Sequence, residues 1–190
     1  FFSSVYGNDE SPLSLTTTDG FFNSSFGSTT AGGINPAFLT FFPELAGDSW
    51  VTIGIESQPS GDEAPISTVE SASQPWVSAF AFGSSNDGGD FAMDDATGGA
   101  WYVLNGSSNG LPDAVNNRVL FMQMTTAGDF AGTMNVQVFE NGVGAESLYM
   151  TFSFDGVGTF SVDGSGGGGD TGNACGCTDA TATNYDDAAE

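Results

Sequence analysis

The chain has 190 residues, a formal net charge of −23 and one basic side chain, Arg118, with no Lys and no His. Such a surface repels phosphate, which excludes nucleic acid and anionic lipid as partners. The missing His and Lys remove Ser–His and Cys–His nucleophiles, imidazole metal ligands and Schiff-base chemistry.

The first six residues, Phe1-Phe2-Ser3-Ser4-Val5-Tyr6, are an apolar, β-prone segment. Two fates are open to it. It completes its own sheet, or it adds to the sheet of a neighbouring copy. The second makes Phe1, Phe2, Val5 and Tyr6 assembly residues, and head-to-tail strand addition of that kind propagates into a filament. Further along, Gly, Ser, Thr, Asn and Asp interrupt short apolar runs and helical patterning is almost absent. Strands are predicted at 13–18, 37–42, 50–55, 76–82, 101–104, 118–125, 133–139, 148–154 and 159–162. Period-two alternation puts Met134, Val136 and Val138 on one face and Asn135 and Gln137 on the other, and groups Leu148, Met150, Phe152 and Phe154. Asn141-Gly142 marks a hairpin between these two strands, and Asp155-Gly156 marks another before 159–162.

Short strands at this spacing imply an all-β fold, an antiparallel β-sandwich or jelly roll, over residues 1–163. Each of the 17 Phe contributes roughly 1.5–3 kcal/mol when buried, so the core needs no disulfide, and a chain this rich in aromatics is not expected to be disordered throughout. Residues 164–174 are a Gly-rich linker, and residues 175–190 begin a Cys- and Asp-rich unit. Cys175 and Cys177 are too close in sequence to pair readily with each other. The chain opens on Phe1, carries no apolar leader and has no run of transmembrane length, so it reads as a processed or excised piece that does not insert into a membrane.

The segment Gly176-Cys177-Thr178-Asp179 with Ala182-Thr183-Asn184-Tyr185-Asp186 resembles a short repeat, approximately G-C-T-D-x-x-A-x-N-Y-D, of large secreted surface proteins of marine Bacteroidetes. In that family a further Cys closes the repeat, and here the chain stops at Glu190 before it. The main domain is similar to β-rich modules of such proteins in the stretches Phe38 to Ile55, containing Asp48-Ser49-Trp50-Val51-Thr52-Ile53-Gly54, then Gly99-Ala100-Trp101-Tyr102, and then Leu111-Pro112-Asp113 through Arg118-Val119-Leu120. The resemblance implies export, often by type IX secretion, and an extracellular or cell-surface location. It implies no activity.

Several groups carry candidate chemistry. A carboxylate pair is the one acid–base device the composition allows, as in glycoside hydrolysis, and among 24 acids a pair at a suitable spacing arises by chance, so the chain reads as non-enzymatic. Calcium takes clustered carboxylates and carbonyls. One candidate site is the Gly-rich 83–99 loop with Asn86, Asp87, Asp90, Asp94 and Asp95, and another is Asp179, Asn184, Asp186 and Asp187. The competing reading of each is a solvated acidic loop. No organic cofactor is expected. Trp50, Trp76 and Trp101 either fill the core or stack on sugars, the core being the commoner fate. Asn23 and Asn105 head Asn-glycosylation sequons, while Ser49 and Thr171, each after an Asp, resemble the O-glycosylation sites of the same bacteria.

The expected function is that of a non-enzymatic extracellular structural protein, a subunit of a fibre built from copies of itself. Because a −23 chain repels its own copies, such contacts must use screening by salt, divalent cations, strand pairing or buried aromatics. The alternative is a carbohydrate-binding or adhesin module whose partners are glycans.

Overall fold

The computed structural model describes residues 1–156 and 158. The predicted strand 159–162, the linker and the Cys/Asp-rich unit lie outside the described residues.

The architecture is all-β, a seven-stranded antiparallel sheet with a small two-stranded sheet against it. The strands are β1 (Phe2–Gly7), β2 (Leu13–Thr17), β3 (Trp50–Val51), β4 (Ser67–Val69), β5 (Phe91–Met93), β6 (Gly99–Tyr102), β7 (Met122–Gln123), β8 (Phe130–Phe139) and β9 (Ser147–Asp155). Ten-residue β8 is the spine. One of its edges carries β1 on its second half, with Val5 opposite Val136, and β2 on its first half, with Ser14 opposite Thr133. β6 and then β4 extend the sheet beyond β1, and β5 extends it beyond β2. The other edge of β8 pairs with β9 along its length, from Ala131 opposite Asp155 to Phe139 opposite Ser147. β3 and β7 form the small sheet, with Trp50 opposite Gln123.

The main core lies under the large sheet. Val5, Leu13, Leu15, Phe91, Met93, Trp101, Met134 and Val136 meet Val51, Ile53, Trp76 and Phe80 there. A second cluster gathers Ala31, Ile34, Leu45, Trp50 and Ile55. All three Trp are buried, so they belong to the cores.

Two predicted strands are 3-10 helices instead. The segment expected as strand 37–42 forms Pro36–Thr40, followed by a second turn, Pro43–Gly47. Pro36 presets a helical φ at the first position, the Asn35 side chain accepts from the Ala37 N–H at 3.0 Å, and Pro43 ends the first turn and opens the next. Trp76–Phe80 is also a 3-10 helix. Its buried residues, Trp76, Ala79 and Phe80, recur at three and four residues, a helical spacing. The 50–55 and 118–125 segments keep only two ladder residues each, because Gly54 turns the chain at φ +71°. Conversely, 83–99 is not one long loop. Phe91 and Met93 alternate into the core and make β5 against β2. Asn141 (φ 49°) and Gly142 (φ 75°) do lie in the β8–β9 connection, where both take left-handed backbone.

Candidate functional site

The amino segment is part of its own sheet. β1 lies between β6 and β8, and Phe1 pairs with Phe139 in both directions, N–H to O at 2.9 Å and Phe139 N–H to Phe1 O at 2.7 Å. Val5 is buried in the core, Phe1 stacks on Phe139, Phe2 on Phe121, and Tyr6 meets Tyr149 edge-on. Phe1, Phe2, Val5 and Tyr6 are thereby held within the subunit rather than presented to a neighbour.

The exposed apolar surface is elsewhere. The two consecutive 3-10 turns at 36–47 bring Phe38 and Phe42 against Phe26. Phe26 stacks on Phe42 with ring centres 3.9 Å apart, and Phe38 meets both edge-on at 5.8 and 6.2 Å. The rings order one another but are not covered. Phe26 and Phe38 are each 40% exposed, and Phe41 is 76% exposed. Leu39, next to Phe38 in the chain, is exposed as well. From Gly20 to Pro43 the sequence has no charged residue, in a chain of 24 acids. The sequence signal for this patch was present in Phe26, Phe38, Phe41 and Phe42 flanked by Pro36 and Pro43, but a strand assignment buried half of it.

A second uncovered feature is the outer edge of β9. Glu140 N–H bonds Glu146 O and Gly156 N–H bonds Phe130 O, so even-numbered β9 residues face β8. The backbone groups of Tyr149, Thr151 and Ser153 therefore point away from it, and among the described residues no strand pairs with them.

The acidic loop does not fold into a cup. Asp87 accepts from Asn23 Nδ2 and from the Gly83 N–H, Asp90 from the Thr17 N–H at 2.8 Å, and Asp94 from Gln74 Nε2. Asp95 accepts from Ser71 and Ser73 hydroxyls and from the Thr97 and Gly98 N–H groups. Those donors, led by the Ser71 hydroxyl, bring its carboxyl down to about 2. Among the described residues no three acidic, thiol or imidazole groups converge. The second predicted set, Asp179, Asn184, Asp186 and Asp187, lies outside the described residues.

Two carbohydrate-attachment candidates are internal. Asn23 is buried with its Nδ2 committed to Ala79 O and Asp87, and Ser49 is buried with its hydroxyl accepting from the Thr125 N–H. Neither is presented to a modifying enzyme in the folded chain. Asn105 is exposed, its Nδ2 donating to Gly142 O at 2.8 Å. Thr171 lies outside the described residues.

A polar cleft of about 620 Å³ is lined by Glu56, Glu63, Asn109, Asp113, Arg118 and Leu120 among others. Asp113 caps its own loop by accepting from the Val115, Asn116 and Arg118 N–H groups, and the Asn116 N–H foremost holds its carboxyl below the usual range. No aromatic ring lines this cleft among the described residues, so it lacks the flat apolar face on which a sugar stacks. Among the described residues no helix is long and apolar enough to cross a membrane. Comparison with protein-family models, with curated proteins and with solved structures finds no match to this chain.

Proposed function

We propose that the chain is a non-catalytic structural module of the extracellular space that associates with copies of itself through the phenylalanine surface around Phe26, Phe38 and Phe41. The observation that carries this reading is a cluster of exposed rings within the long uncharged stretch of a −23 chain. At ~200 Å² per side chain, these three Phe leave about 300 Å² in water, within the range of patches that serve as contact sites. Two copies meeting there place uncharged chain against uncharged chain, so the repulsion between the remaining carboxylates acts across a longer distance and is screened by salt.

A single such contact between like faces closes as a dimer. Growth into a fibre needs a separate contact, and the outward backbone groups of Tyr149, Thr151 and Ser153 are of the kind that pair edge to edge. This replaces addition of the amino strand as the route to assembly. The carbohydrate-binding alternative has less support, since Trp50, Trp76 and Trp101 are buried and, among the described residues, no aromatic ring lines the polar cleft.

Sedimentation velocity over a concentration series at low and high NaCl tests the proposal. Wild type is expected to associate, more strongly as salt rises, and Phe41→Ser is expected to shift the equilibrium towards monomer without changing the unfolding midpoint. Wild type that stays monomeric at about 1 M salt, where the screening length is ~3 Å, overturns it. Electron microscopy of the high-salt sample distinguishes fibres from dimers, and saturable binding on a glycan array would favour the alternative.

A further inference from the structure

Among the described residues the large sheet ends at β4, β5 and β9, and these edges differ. A free edge pairs readily with another chain, and folded proteins protect edges by shortness, charge or proline. β4 is three residues long, with Pro65 shortly before it and Glu70 directly after it. β5 is three residues long and stands between Asp90 and Asp94. β9 has none of these protections along its length. It is nine residues long, and from Ser147 to Phe154 it has no charge, no Pro and no Gly, in a chain of net charge −23.

Two further features adjoin that edge. Leu148 is 47% exposed, although β9 pairs with β8 throughout. An apolar groove of about 440 Å³ lies at the other end of the same strand, lined by Phe121, Met124, Phe152 and Phe154 among others. Met150, Phe152 and Phe154 pack into the core, and alternation puts Leu148 on that same side of the sheet. One strand thus presents an uncovered leucine at its start and an apolar groove at its end.

We propose that β9 pairs edge to edge with β9 of a second copy, antiparallel about a two-fold axis through Thr151, so that the two large sheets become one. This register overlaps all nine residues of the strand. It sets Thr151 opposite Thr151, Tyr149 opposite Ser153 and Ser147 opposite Asp155. The backbone groups of these odd-numbered residues point outward, so each pair exchanges two main-chain bonds. On the core side Leu148 of each copy comes opposite Phe154 of the other, beside its groove, and Met150 comes opposite Phe152. Apolar cross-strand pairs of this kind stabilise a sheet. Glu146 falls opposite Gly156, so no carboxylate directly faces another. Moving the axis to Met150 or Phe152 shortens the overlap and takes Leu148 away from Phe154. The contact is isologous, made by the same patch on both copies. It deepens the self-association proposed above by supplying the second contact that growth needs, and it forms without the phenylalanine surface.

The test uses the full chain carrying Phe41→Ser, isotopically labelled, at about 1 M NaCl, where the screening length is ~3 Å. With the phenylalanine contact already removed, the failure of that contact and the failure of the edge read separately. Amide hydrogen exchange is followed by NMR over a concentration series. The outward amides of Tyr149, Thr151 and Ser153 should slow about tenfold once about nine-tenths of the chains are paired, because only the free tenth exchanges. The amides of Met150 and Phe152, which face β8, should change much less. The register is read in chains that also carry Cys175→Ser and Cys177→Ser. Thr151→Cys should form a disulfide-linked dimer on oxidation, since the Cα atoms paired across the axis are about 5.5 Å apart, within disulfide reach. Ser153→Cys should not, because the two copies of residue 153 are offset by four residues, about 13 Å along the strands. The proposal is overturned if the outward amides exchange at one rate at every concentration, or if Thr151→Cys cross-links no better than Ser153→Cys. Slow exchange at every concentration would place another segment of the same chain on this edge.

Discussion

Replacing Asn135 by Ala tests the polar clamp at the middle of the large sheet. Asn135 is 1% exposed on the spine strand β8. Its Nδ2 donates to Tyr6 O at 3.2 Å, Ser11 O at 2.8 Å and Pro12 O at 3.1 Å, and its Oδ1 accepts from the Thr151 hydroxyl at 2.7 Å. One side chain thus ties the turn between β1 and β2 to β8 and β9. Ser11 O keeps the Asn8 N–H as a donor, and Thr151 is exposed and can turn to water, but Pro12 O loses its donor. With net hydrogen bonds worth about 1 kcal/mol each and an orphaned buried acceptor about 1–3, the expected loss is about 2–4 kcal/mol. In urea unfolding followed by the fluorescence of buried Trp76 and Trp101, the midpoint should fall with the slope unchanged. Asn135→Asp should cost more, because its carboxylate would face three carbonyl oxygens. A loss below about 0.5 kcal/mol for Asn135→Ala, the scale of an ordinary surface change, would refute the reasoning.

The bonds to Asp95 make stability depend on pH in a defined direction. Its carboxyl lies at about 2 against an ordinary 3.8, so its contribution is present above about 3.8 and is lost as the pH falls through about 2. Asp95→Asn should therefore lower the urea midpoint near neutrality, and the gap to wild type should close as the pH falls from about 4 to about 2; a gap that persists at the acid end would contradict this account. Gly54→Ala should destabilise by roughly 2–4 kcal/mol, because Gly54 has φ +71° and a Cβ there would lie 1.9 Å from Asn109 O. An unchanged midpoint for that variant would show that the 53–54 backbone can move away from Asn109. Phe41→Ser, by contrast, should leave the midpoint within about 0.5 kcal/mol of wild type while weakening association; a large loss of stability would place Phe41 in the fold rather than on a contact surface.

The sequence by itself determined the class of fold and the limits on chemistry. Alternating apolar residues at Met134, Val136 and Val138 and at Leu148, Met150, Phe152 and Phe154 mark strands because side chains alternate across a pleated backbone, and β8 and β9 formed with Met134, Val136 and Val138 opposite Phe152, Met150 and Leu148, and Phe154 opposite Gly132. Counts of His, Lys and Arg are read without a structure, and the expectations that phosphate is repelled and imidazole chemistry is missing rest on them. Local signals also existed where the strand reading failed. Asn35-Pro36 is a capping signal, and Trp76, Ala79 and Phe80 have helical spacing, but both windows are short and apolar enough to pass for strands.

What only the tertiary structure decided was which groups meet. Alternation put Asn135 on the polar face of its strand, and only the turn carbonyls of Ser11 and Pro12 folding over that face made it a buried clamp. The fate of Phe1 and Phe2 stayed open in the sequence because their partners, Phe139 and Phe121, lie more than a hundred residues away. Asn23 and Asp87, joined by a hydrogen bond from the Asn23 amide, stand 64 residues apart and share no motif. Hydrophobic periodicity is a local property, carried by each segment's own residues, whereas pairing and burial depend on segments distant in the chain. The acidity is therefore readable from composition, but the burial of the Asp48 carboxylate is found only by folding the chain around it.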